Sequence, residues 1–213
     1  MSVKGVIMRH FSFQPSFTMA GRHNRGLRGL AGKPLHPPLT DVPITAYLFV
    51  AVFDVVSAAL HGGHPVVARQ LYVAGLWLML GAVVVSALAA LTGWADWHTS
   101  SEPGTQARRT INAHAITMIT VTVLAIVDLV LRGTAYADRG SAPVLVLVLS
   151  IVVAVAVSGG ATLGGSLVYD YGFNVETAGD HPVWHHSEVD VLPGKKPAAA
   201  PITEPISEQA SPL

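Results

Sequence analysis

Three histidines and three aspartates flank or interrupt the apolar stretches of this chain: His36, His98 and His114, and Asp54, Asp96 and Asp128. Neutral imidazole is a common ligand for iron, copper and zinc. His36 and His114 together could supply the two axial ligands of one b-type haem, with His98 as a further candidate nearby. His98 next to Asp96 could instead handle protons. Asp54 and Asp128 lie in apolar sequence, where two carboxylates resist being charged together, and this suits a proton or cation site. Each group also has an ordinary structural use. Asp128 precedes Arg132 by four residues, a favourable helical ion-pair spacing, and Asp54 can bond to Ser57, His61 or His64. Asp41 and Asp96 can cap helix ends and pair with Arg108 or Arg109.

Two more histidine clusters lie between and after the apolar stretches. HGGH contributes His61 and His64, and HPVWHH contributes His181, His185 and His186. Either could hold zinc or copper weakly, but neither has a full ligand set at structural spacing. No nucleotide-binding loop, zinc-protease helix or nucleophile elbow is present. Catalytic motifs are therefore missing, although an oxidoreductase is not excluded. The chain has no cysteine, which rules out disulfides, thiol catalysis and iron–sulfur ligation by its own residues.

The elements that must position these groups follow from composition. Of the 213 residues, 51% are hydrophobic and only 12% are charged. A soluble domain carries about twice that charged fraction. Basic and acidic residues balance at 13 each, so no bulk attraction to nucleic acid is implied. Four apolar spans, at about 42–60, 71–91, 112–131 and 142–169, each reach the roughly 17–25 residues that cross hydrocarbon. At these lengths only helices satisfy their own backbone in lipid. Short connections predict an all-α, up-down-up-down four-helix bundle embedded in a bilayer. Residues 1–41 read as a basic, largely disordered arm, and 176–213 as a polar, Pro/Ala-rich disordered tail.

Alternation of the spans puts both termini and the middle loop on one side. That side holds ten Lys and Arg residues, against three on the other (Arg69, Arg132 and Arg139). The loop-charge rule then puts both termini in the cytoplasm. The same alternation gathers LHPPLTDVP, TGWADWH, NAH and GGSLVYDYGFNV at one interface, while Asp54 and Asp128 share the opposite half. His36 would sit just outside the first span and His114 about one turn into the third. A transmembrane di-haem cytochrome normally has histidines in both halves, whereas here His114 alone is embedded. In the fourth span Gly160 and Gly164 stand four apart, as do Ala161 and Gly165. Such small-residue faces serve close packing within the bundle, a homodimer, or a flat cofactor.

The order and spacing of LHPPLTDVPITAYLF, TGWADW, NAHAITM and GGSLVYDYGFNV resemble the bacterial predicted-membrane-protein family called domain of unknown function 2231, over about residues 33–175. The resemblance implies a four-helix integral membrane domain without an established activity. It also implies an association with redox proteins, since members occur joined to or beside Rieske-type iron–sulfur domains. In this cysteine-free chain such a partner would be a separate protein. Three classes of function stay open. One is a membrane anchor or electron-transfer subunit holding b-type haem. The second is a structural or interaction subunit without cofactor, and the third is a proton- or ion-coupled protein using Asp54 and Asp128.

Overall fold

The structure is a computed structural model that describes residues 26–27 and 34–175. These lie within one compact unit, Gln14–Val175. Most of the basic arm and the tail, with His181, His185 and His186, fall outside the described residues.

Four helices follow in order: α1 (His36–Leu60), α2 (Pro65–Ser100), α3 (Gln106–Gly133) and α4 (Val144–Tyr169). All four are long and apolar enough to cross a membrane. Proline opens α1 and α2, at Pro37, Pro38 and Pro65, where a missing N–H costs nothing. Helix α1 therefore begins at His36 rather than Val42, and Pro43 lies inside it, where its ring removes one backbone bond. Residues 36–41 thus belong to the bundle rather than to the arm. Thr105 caps α3 by accepting the Arg108 N–H at 3.1 Å. After α4, Ser166 O accepts both Asp170 N–H and Tyr171 N–H, and Gly172 at φ 58° turns the chain away.

Each helix packs on two neighbours. Helix α1 touches α2 and α4, α3 touches the same two, and the pairs α1/α3 and α2/α4 face each other across the diagonals. The core draws on all four, with Tyr47 and Val50, Met79 and Ala82, Val121 and Ala125, and Val153 and Val157. Three hydroxyls in the core are bonded. Tyr47 and Ser86 share a hydrogen bond of 2.9 Å, and Ser57 donates to Ala68 O while accepting from Ala142 N–H.

The outer walls are as apolar as the core. Val55, Val84, Leu88, Ile116, Ile119, Val123 and Val148 all face outward, while Asp54, Asp128 and Arg132 are enclosed. Such a surface is a poor match for water and a good one for lipid tails. The chain is a multi-pass membrane protein. Helix α2, with 36 residues, is about 54 Å long and must project beyond a hydrocarbon layer of about 30 Å. Its Trp94–Ser100 end forms part of that projection.

The small-residue face of α4 is turned inward. A Cβ on Gly160 would lie 2.5 Å from Met118 Sδ and 3.3 Å from Thr117 Cγ2, whereas Gly159 has open space around it. Gly160→Leu is expected to overpack the α3/α4 contact and cost about 1–3 kcal/mol. Gly159→Leu should be neutral or slightly stabilising, because leucine favours helix over glycine. Thermal unfolding of the two variants in detergent separates these outcomes.

Candidate functional site

At one end of the bundle His36 and His114 meet across the α1/α3 diagonal. Their ring centroids are 6.4 Å apart and their planes are inclined by 86°. His36 is fixed by α2, its Nδ1 lying 2.9 Å from Ala89 O and 3.3 Å from Thr92 Oγ1. The Thr92 hydroxyl itself donates to Ala89 O at 2.9 Å, so its lone pair is available to the imidazole. His114 is fixed by α4, its Nδ1 lying 2.8 Å from Gly160 O.

A carbonyl oxygen can only accept, so both Nδ1 atoms carry the proton. In the neutral rings both Nε2 atoms then keep a lone pair, and among the described residues neither has a hydrogen-bond partner. This is the tautomer that metal-ligating histidines adopt, with the far nitrogen tied to a backbone carbonyl. Two glycines make room for the rings. A Cβ on Gly93 would sit 2.8 Å from His36 Cε1, and one on Gly164 would sit 3.2 Å from His114 Cε1. All four helices therefore build the pair.

The remaining candidates of this end are placed elsewhere. His98 is exposed and stacks on Trp94, with centroids 5.7 Å apart. Asp96 is buried, and Gly26 lies so close that a Cβ there would overlap its carboxylate. Residues two apart on a helix point in different directions, so Asp96 and His98 do not face each other. The arginines of the middle loop serve the loop itself. Arg108 bonds Trp97 O and Ser101 and lies 3.8 Å above the Trp97 ring, and Arg109 bonds Gln106 and Gly104 O. Trp97 donates to Asn112 Oδ1 at 2.8 Å. With Trp94, 63% exposed, and Tyr169, 88% exposed, it forms an aromatic rim at the histidine end.

The other half of the bundle holds a second polar group. Arg132, 1% exposed, lies between Asp54 and Asp128, both fully buried. Its Nη1 donates to Asp54 Oδ1 at 2.9 Å and its Nη2 to Asp54 Oδ2. Its Nε and Nη2 donate to Asp128 Oδ1 and Oδ2, each at 3.1 Å. The expected Asp128–Arg132 pair is present. Asp54, however, bonds to Arg132 rather than to Ser57, His61 or His64, because the arginine side chain reaches across the diagonal from α3 at that level. Tyr72 supports the guanidinium with its ring face, 5.4 Å from Arg132 Cζ.

His61 and His64 are exposed in the α1–α2 connection. Among the described residues no group of three or more His, Cys, Asp or Glu side chains is placed to hold a metal ion.

A family model described as a predicted membrane protein, DUF2231, matches residues 32–177. Comparison with curated proteins and with solved structures gives no match. The matched region contains His36, His114 and the whole Asp–Arg–Asp group.

Removing the arginine leaves two carboxylates buried without a counter-ion. Arg132→Met is expected to destabilise the bundle by on the order of 3–5 kcal/mol. Adding Asp54→Asn and Asp128→Asn should recover most of that loss, as apolar or neutral replacements of whole buried ion clusters do. Thermal unfolding in detergent, compared across the single and triple variants, checks both statements.

Proposed function

The chain belongs to the DUF2231 family of predicted membrane proteins, and from that premise we propose that it is a membrane electron-transfer subunit that holds one b-type haem between His36 and His114. The observation that carries this reading is the pair of carbonyl-anchored imidazoles, 6.4 Å apart, with no third ligand beside them among the described residues. Were one metal ion held between the two imidazoles, bonds of about 2 Å would put the ring centroids about 6 Å apart. A bare zinc ion needs more protein ligands than two. Haem brings four nitrogens of its own, so His36 and His114 would be enough to hold it.

When bound, such a haem supplies one-electron chemistry at its iron. The protein's part is to fix ligand orientation and to set the surroundings. Ala89 O and Gly160 O hold the Nδ1 protons and raise the basicity of both Nε2 atoms. The apolar bundle interior below the pair keeps water away and disfavours added charge, which influences the potential. The aromatic rim, with Trp94 and Tyr169 exposed, supports a position of the pair close to one membrane surface, within reach of a partner outside the bilayer.

The loop charges support a cytoplasmic position for that surface. The structure takes Arg132 into the bundle, so the opposite loops keep only Arg69 and Arg139, and the bias strengthens. The electron partner in this reading is a separate redox protein, of which a Rieske-type iron–sulfur protein is one kind. A homodimer through α4 would have to use Gly159 and Gly165, since Gly160 and Gly164 face α3.

Purified full-length protein, expressed with adequate haem supply, is expected to show a Soret band and, on dithionite reduction, a sharpened α band. His36→Ala and His114→Ala should each abolish or strongly perturb these bands while leaving a monodisperse elution profile. Gly93→Val, which pushes on the His36 ring, should weaken haem retention in the same assay. A colourless wild-type preparation overturns the proposal.

A further inference from the structure

The Asp54–Arg132–Asp128 group stands apart from the histidine pair, in the other half of the bundle. It contains two carboxylates and one guanidinium, all at 0–1% exposure. If all three are ionised, one formal negative charge is enclosed in an apolar interior. Isolated charge there is costly enough that proteins neutralise or pair it.

Among the described residues no other group on the surrounding elements balances that charge. Helix α1 contributes Asp54 alone at this level. From α2, Tyr72 offers its ring face to Arg132 and gives its hydroxyl proton to Tyr136 O at 3.2 Å. Arg69, also on α2, is turned to the α3–α4 connection, where it bonds Ala137 O and Arg139 O. Arg139 in that connection lies over the Tyr136 ring at 5.8 Å, and Asp138 beside it is acidic. The adjoining half of α4 (VLVLVLS) has no ionisable side chain. The only ion pairs that reach Asp54 and Asp128 among the described residues come from Arg132.

We propose that Asp54 and Asp128 together hold one exchangeable proton, so that the Asp–Arg–Asp group is a proton-binding site in the half of the membrane opposite the histidine pair. The ligand is a proton rather than a metal cation because Arg132 already fills the space between the carboxylates. All four carboxylate oxygens are turned to its N–H groups. A metal cation would need several of those oxygens for itself, whereas a proton needs one. Because both acids share Nη2, the proton belongs to the pair and not to either residue. Gly75 lets the arginine sit this deep, since a Cβ there would meet Nη1 at 3.1 Å.

The test is infrared spectroscopy of the full-length protein in lipid vesicles, hydrated with H2O and then with D2O. The wild type is expected to show the carbonyl stretch of one protonated carboxyl in an apolar setting at neutral pH. That band should shift on deuteration and fall as the pH is raised. Either Asp54→Asn or Asp128→Asn removes the surplus charge, so each single variant should lose the band and keep its fold. Asp41→Asn, at the histidine end, should retain it. The absence of such a band from the wild type at any pH from mildly acidic to mildly alkaline overturns the proposal, and that reading needs no variant to fold. A band that survives in both Asn variants, or one removed by sodium at constant pH, overturns it as well.

Discussion

Arg132 is gripped by two carboxylates from helices that stand across the bundle from each other. Asp128 lies one turn back on the same helix, so that pair needs no tertiary structure. Asp54 does need it, because α1 and α3 have no backbone approach anywhere along their length. The side chains alone span the diagonal. In lipid there is no water to take over if the contact opens, and an unpaired buried charge is far more costly than an unpaired surface one. The group therefore fixes the rotation and depth of α1 relative to α3. Those two helices also carry His36 and His114. The ion group at one end and the anchored imidazoles at the other thus bring side chains of the same two helices together.

The outward faces explain why polar contacts take on this role. Val, Ile and Leu dominate the walls, and Ala, Val, small polar residues, two tyrosines and the ion group make up the centre. Lipid is as apolar as a leucine, so burying more leucine gives the bundle little advantage. Close packing of small residues and internal hydrogen bonds specify it instead. Gly160 does both: its missing side chain admits Met118, and its carbonyl holds His114. Gly93 and Gly164 clear the space that the two rings occupy. The glycines of α2 and α4 are positioning elements for the histidines as much as packing elements for the helices.

Much of this was legible in the sequence, and the rest was hidden for identifiable reasons. Apolar length alone gives four helices, and alternation alone brings His36, His114, the end of α2 and the glycines of α4 together. The Asp128–Arg132 pair follows from spacing. The partner of Asp54 does not, because a contact between residues 54 and 132 is set by which helices are diagonal. The entry to α1 was misplaced because Pro37 and Pro38 read equally as an extended lead-in and as a first helical turn. Helix α2 continues through TGWADWH to Ser100, since a helix need not stop where hydrophobicity does. The inward turn of Asp96 and the outward turn of His98 could have been read from their separation of two residues. The anchors of the histidines, Ala89 O and Gly160 O, are backbone atoms and carry no residue-type signal, although Gly93 and Gly164 mark their neighbourhood.

The most direct measurement is the electron paramagnetic resonance spectrum of the oxidised, haem-supplied protein. If haem were held by His36 and His114, two imidazoles whose planes are inclined by 86° would leave the two iron orbitals that bond to them nearly equal in energy. The account predicts a low-spin ferric signal with very large anisotropy. A high-spin signal, the smaller anisotropy of parallel imidazoles, or no haem signal would contradict it.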